Sequence, residues 1–179
     1  MSIFILMFRC EKSRKAPVTV FYPVDKAEYD KFKHKSSRNI SRTPKGVWTA
    51  YGISKGIVGI SSLFKYFKEE RIQALNNHPM HTDFADNKQK LRPVLFSPGL
   101  VFGRTGYSGI CRELASHGMM VYAIDHTDNS CPFYEDVTQE PPAAVYYTDY
   151  DQIRDTCSLE GYRQRQMSDR SVQLIHYLG

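Results

Sequence analysis

Gly52-Ile53-Ser54-Lys55-Gly56 matches the G-x-S-x-G pattern of a serine nucleophile, in which the glycines permit the sharp strand-to-helix turn that exposes the serine oxygen. The flanks fit: residues 47–51 could form a strand, a helical pattern starts after Gly56, and Asp125 or Asp128 followed by His176 would complete the order Ser, acid, His. The order of parts does not fit. In that arrangement the loop carrying the first oxyanion donor precedes the nucleophile strand, whereas the Pro98-Gly99-Leu100 loop follows Ser54. Five-residue matches also arise by chance, so Ser54 is kept only as a rival nucleophile.

The strongest local signal is residues 97–106. A strand end followed by Gly-rich backbone before a helix N-terminus presents N–H groups to an anion or a developing oxyanion. The loop has neither the dinucleotide fingerprint nor the lysine of a P-loop. Asp125-His126-Thr127-Asp128 follows an apolar run and so falls at the carboxyl end of a strand, where open α/β sheets place ligands. These side chains could edge a site or hold the next loop. His78 and His81 are three apart, while helical zinc pairs are four apart; they read as loop surface, and no metal or cofactor is expected. His117 before Gly118 suits the last turn of a helix, where an imidazole complements the macrodipole.

Elements must position these groups. Residues 17–23, β-branched and aromatic between prolines, read as a strand near a sheet edge, at about 18–22. From Gly56, Ile57, Ile60, Leu63, Phe64, Phe67 and Ile72 recur at helical spacing, predicting an amphipathic helix to about Leu75. The polar stretch 76–92 reads as connection. Pro93-Val94-Leu95-Phe96 has the unbroken apolar character of a strand buried on both faces, within 94–97. Pro98-Gly99 suits the centre of a type II turn, with positive φ at Gly99. Residues 107–116 place Ile110, Cys111 and Leu114 on one helical face, with Gly118 as the residue that ends the helix. Residues 119–124 form another apolar run, completing a βαβ unit. Residues 127–149 read as irregular. Residues 151–178, free of Pro, read as a long helix with Ile153, Cys157, Met167, Leu174, Ile175 and Leu178 at mostly helical intervals.

A length of 179 residues, 41% hydrophobic and 24% charged, is that of about one folded domain. No apolar run approaches the roughly 18 residues of a membrane-spanning helix. The opening Ile3 to Phe8 run lacks a preceding basic residue and a following cleavage site, so it reads as a buried strand rather than a signal peptide. Cys10, Cys111, Cys131 and Cys157 lie far apart, which argues for reduced thiols in a cytoplasmic setting. The net charge of +5 is local: residues 9–45 hold 11 of the 24 Lys and Arg against four acids, leaving the rest slightly negative. Lys31, Lys33, Lys35, Arg38, Arg42 and Lys45 follow no apolar period and read as a basic surface loop, about 25–46. Such a patch could meet an anionic surface. Without a zinc finger, helix-turn-helix or aromatic RNA-binding signature, nucleic acid is not expected as a partner.

Several segments carry a resemblance. Phe96-Ser97-Pro98-Gly99-Leu100, Arg104-Thr105, Tyr107-Ser108, Leu114-Ala115-Ser116-His117-Gly118, Val121, and Asp125-His126 with Asp128 and Ser130 resemble the platelet-activating factor acetylhydrolase family, its plasma and type II intracellular group. The family form is approximately F-S-H-G-L, F-R-T-x-Y-S, L-A-S-H-G and V-x-x-x-E-H-R-D-x-S. Tyr51-Gly52-Ile53-Ser54-Lys55 is similar to a G-L-S-K segment upstream of the family nucleophile, and residues 18–23 to its L-x-x-Y-Y-P strand. This chain has Pro98 for His, Thr127 for Arg and Asp125 for Glu.

The resemblance implies an α/β-hydrolase-type, mostly parallel sheet and a calcium-independent esterase that cleaves sn-2 acyl groups from phospholipids, without a cofactor. The family serine lies in G-H-S-F-G-G on the strand beyond the helix equivalent to residues 151–178, with acid and base later still. The expectation is therefore a single partial domain over 1–179, truncated after a crossover helix, inactive alone, with the triad beyond Gly179. Leu100 is similar in position to the family leucine whose backbone N–H serves the oxyanion hole; Pro98 and Gly99 set its loop, and Asp125, His126 and Asp128 edge the site. The expected partner is a phospholipid substrate, met at a membrane surface by a cytoplasmic, peripherally bound protein; secreted relatives keep that compartment open too. The rivals are a self-contained esterase built on Ser54 and a non-catalytic module whose 31–45 segment binds anionic surfaces.

Overall fold

The computed structural model describes residues 17–32, 34, 36–38, 71–75, 77–86, 88–136 and 139–178. Ser54, the 47–51 strand, the Ile3 to Phe8 run and most of the helix expected from Gly56 lie outside the described residues. The central sheet has three strands in the order β1 (Val18–Phe21), β5 (Met119–Ile124), β4 (Arg92–Phe96). β4 and β5 are parallel, joined by α3 (Ser108–Ser116), which is the βαβ unit expected. β1 runs antiparallel to β5, pairing Val18 with Ile124 and Phe21 with Val121. The sheet formed by the described strands is therefore mixed, one parallel and one antiparallel pair, and does not show the mostly parallel sheet expected. A crossover forces parallel pairing only between the strands it joins, here β4 and β5.

Alternation along the three strands builds two cores. Phe21, Val121 and Ala123 meet Cys111 and Ala115 of α3, with Val94 and Phe96 against them. On the other face Val18, Val20, Tyr22 and Ile124 pack with Leu95, Met120, Tyr122 and Leu174 of α4 (Leu159–Leu178). Helices thus cover both faces of a small sheet, an α/β arrangement. β4 is less enclosed than its apolar run suggests: Arg92 and Pro93 are exposed and Val94 to Phe96 half-buried. In α3 the buried positions are Ser108, Cys111 and Ala115, while Ile110 is 53% exposed, so the inward face is rotated from the one read off the sequence. The helix ends at His117 and at Gly118, whose φ of +79° is the left-handed cap expected.

Other segments depart further. Arg71–Leu75 is a strand, β3, not the end of a helix, and pairs antiparallel with β2 (Ser36–Arg38). Ala74 and Leu75 are both buried, so this stretch is covered on two sides, which short apolar runs achieve equally as strand or helix. The basic 25–46 loop contains α1 (Lys26–Phe32) as well as β2. The Asp25 carboxylate accepts from the Ala27 N–H (2.8 Å) at the helix start, a turn signal that the charge count overlooked. The 76–92 connection holds α2 (Thr82–Ala85), which His81 caps by accepting from the Asp83 N–H (3.2 Å). Within the irregular 127–149 stretch, β6 (Phe133–Asp136) and β7 (Ala143–Tyr146) pair antiparallel. α4 starts at Leu159, after a 3₁₀ turn at Tyr150–Gln152. No described helix is long and apolar enough to cross a membrane.

Candidate active-site loop

β4 and β5 end side by side, so the loops after them meet at the carboxyl edge of the parallel pair. Ser97 is the first residue beyond β4 and is exposed, whereas Pro98 is fully buried. The turn expected at Pro98-Gly99 is not type II, because Gly99 has no positive φ. The left-handed residue is Val101, at φ 66°, a conformation in which a β-branched residue is strained and which collects at functional sites. It is held by the bond from the Val101 N–H to the Ser130 carbonyl (2.9 Å). Gly99 is needed for space: a Cβ there would lie 2.8 Å from the Tyr107 hydroxyl. The Tyr107 ring is fixed between Phe96 and Phe102, with centroids 5.4 and 5.2 Å away. The N–H groups of Gly99 and Leu100 find no acceptor among the described residues, and Leu100 is 41% exposed.

Asp125, His126 and Asp128 are buried behind this loop and fully engaged. Asp125 pairs with the Arg104 guanidinium and accepts from the Arg104 N–H (2.6 Å). Burial pushes its carboxyl above the ordinary value, with Arg104 pulling the other way. A Cβ on Gly103 would fall 2.7 Å from the Asp125 carboxylate, so the chain comes this close only without a side chain. His126, 1% exposed, has Nε2 2.7 Å from Ser97 Oγ and Nδ1 3.1 Å from Gln173 Oε1. Its pKa lies below that of a free imidazole because burial disfavours the charged ring. Asp128 accepts from Arg170 Nε (2.8 Å) and from the N–H and hydroxyl of Ser130. Arg170 continues to Ser130 Oγ (2.6 Å) and to the Pro98 carbonyl (3.5 Å), while Gln166 donates to the Asp128 carbonyl (3.0 Å).

Gln166, Arg170 and Gln173 were not foreseen as site residues. Their spacing of four and three places them on one side of α4, a polar stripe readable in the sequence had polar periodicity been weighed beside apolar. His78 and His81 lie near carboxylates, Glu28 (3.5 Å) and Asp25 (3.6 Å), yet no group of three metal-ligating residues forms among the described residues. Cys111, Cys131 and Cys157 are free thiols, and burial pushes Cys111 up to about 12. Cys10 and Ser54 lie outside the described residues, and the side chain of His176 is likewise not described, so the rival Ser54 site is not brought together here.

The decisive comparison is with protein families: the model for platelet-activating factor acetylhydrolase, isoform II, matches residues 6–178. The chain belongs to the platelet-activating factor acetylhydrolase family. A Schizosaccharomyces pombe protein named "Putative phospholipase A2" is 30% identical in an alignment 160 residues long that covers 78% of this chain. The chain spans about a third of that relative's length, 33%. The family name denotes an acetyl hydrolase and the relative's name a phospholipase. Within the acetylhydrolase match fall the loop after β4, the clamp from α4 and the Asp125 to Ser130 turn.

Proposed function

We propose that this chain is the amino-terminal part of a calcium-independent phospholipid sn-2 esterase of α/β-hydrolase type, acting on lipid at a membrane surface, with the Leu100 N–H as one oxyanion donor. The observation that carries this is a strained loop at the carboxyl end of a parallel strand whose Leu100 N–H has no acceptor among the described residues, inside a chain that matches an acetylhydrolase family along its length. Acyl transfer places negative charge on the carbonyl oxygen, and fixed donors aimed there stabilise it. Pro98 has no N–H to give, but it is buried and fixes the approach to the next two amides. The second donor would be the N–H after the nucleophilic serine, in chain beyond residue 179; a relative about three times the matched length leaves room for such chain. Residues 1–179 alone would then turn over no substrate.

The test begins with the coding sequence after residue 179, read for G-x-S-x-G following an apolar strand. In the complete protein, Gly99→Val should lower kcat on 1-alkyl-2-acetylglycerophosphocholine about 100-fold to 1000-fold, the loss expected when an oxyanion donor is displaced, because its side chain would meet the Tyr107 hydroxyl and move the loop. Leu100→Ala keeps the backbone donor and should stay near wild type. Wild-type kinetics for Gly99→Val would remove the loop from the mechanism.

A further inference from the structure

The hydrogen bonds around Ser97 have a direction. Gln173 donates through Nε2 to Thr127 Oγ1 (2.9 Å), so its Oε1 is the atom facing His126 Nδ1, and Nδ1 carries the hydrogen. The lone pair of Nε2 is then left to accept from the Ser97 hydroxyl at 2.7 Å. The first residue of the loop is thus tied through a buried neutral imidazole to α4. One turn earlier on the same helix, Arg170 reaches the Pro98 carbonyl and Ser130, and the Ser130 carbonyl accepts the Val101 N–H. Both ends of the short stretch 97–101 are fixed to one helix and the turn after β5, while its middle amides, Gly99 and Leu100, stay unpartnered among the described residues.

We infer that Ser97 and His126 are positioning residues for ester hydrolysis: the hydrogen bond between them, anchored by Gln173, holds the strained 97–101 loop with the Leu100 N–H free for the oxyanion. The inference rests on the oxyanion reading proposed above. A serine bonded to a neutral imidazole that a third group orients also has the layout of an activated nucleophile. Pro98 argues against that role, because the residue after a nucleophilic serine supplies an oxyanion N–H and proline has none.

Ser97 is exposed, so Ser97→Ala should fold normally, and an unshifted melting temperature checks this. In the complete protein it should lower kcat on monomeric 1-alkyl-2-acetylglycerophosphocholine about 10-fold to 100-fold, as loss of alignment does, with KM nearly unchanged. Ser97→Thr, which keeps the hydroxyl, should recover most of the rate. Unchanged kcat for Ser97→Ala with a large loss for Gly99→Val overturns the positioning role alone; unchanged kcat for both sinks the oxyanion reading itself. On the 179-residue chain, amide exchange at Val101 should quicken about tenfold in Ser97→Ala, on the scale of a lost hydrogen bond, while β5 amides keep their protection; equal Val101 exchange overturns the inference. Labelling of Ser97 by a fluorophosphonate, read by mass spectrometry, would also overturn it in favour of a nucleophile.

Discussion

His126 lies among charges of both signs and is held neutral. Burial lowers its pKa most and Arg170 adds to this, while the bond to Gln173 and the Asp128 and Asp125 carboxylates oppose. Neutrality is what the network needs, since a protonated ring would present a hydrogen on Nε2 where Ser97 offers one. The folded value lies below the free value of 6.5, so the unfolded chain binds a proton that the native one rejects. Stability from this source is full above about 6.5 and is lost as pH falls through the folded value. Asp125 runs the other way: its raised carboxyl pKa costs stability as pH rises from 3.8 upward. Urea midpoints taken from pH 7.5 downward for wild type and His126→Asn should converge on acidification; parallel curves would clear His126 of the effect. The sequence placed Asp125, His126 and Asp128 correctly at a strand end, because strand and turn are local patterns. It could not name Ser97, Gln173 or Arg170 as their partners, since those pairings span 29, 47 and 42 residues.

α4 turns its polar stripe inward. Gln166 is buried and Arg170 and Gln173 are partly so, whereas Met167 and Ile175 are 66% and 68% exposed. The usual rule reads an apolar stripe as the inward face, and here Leu174 packs against the core while Met167 and Ile175 face outward. The rule failed because the helix covers the end of a sheet, where loop carbonyls and carboxylates need donors more than they need apolar cover. Removing one member should therefore be costly: Arg170→Ala leaves the Asp128 carboxylate buried without its cation, a loss of about 3–5 kcal/mol. Equilibrium urea unfolding measures it, and a loss below 1 kcal/mol would show that Asp128 is satisfied by Ser130 alone. The same long-range logic accounts for β3. Its apolar residues continued a helical pattern, and only a partner strand about 35 residues away made them a ladder.

At the scale of the molecule, composition and the βαβ period made an α/β fold legible, and the motifs after β4 and β5 made the family legible. The direction of β1 was not, because its partner lies about a hundred residues further along the chain. The three-stranded order leaves β4 with a neighbour on one side only among the described residues. Arg92 and Pro93 blunt the start of that edge, one by charge and one by lacking a donor. Among the described residues nothing pairs with the outer amides and carbonyls of Val94, Leu95 and Phe96. The isolated 179-residue chain should accordingly grow in mass with concentration in sedimentation runs, and Val94→Lys should lessen that growth; a concentration-independent monomer would mean the edge is capped. A ladder left open beside apolar side chains is a template for another strand, so the strand leading into the proposed oxyanion loop is also where this chain would first lose solubility.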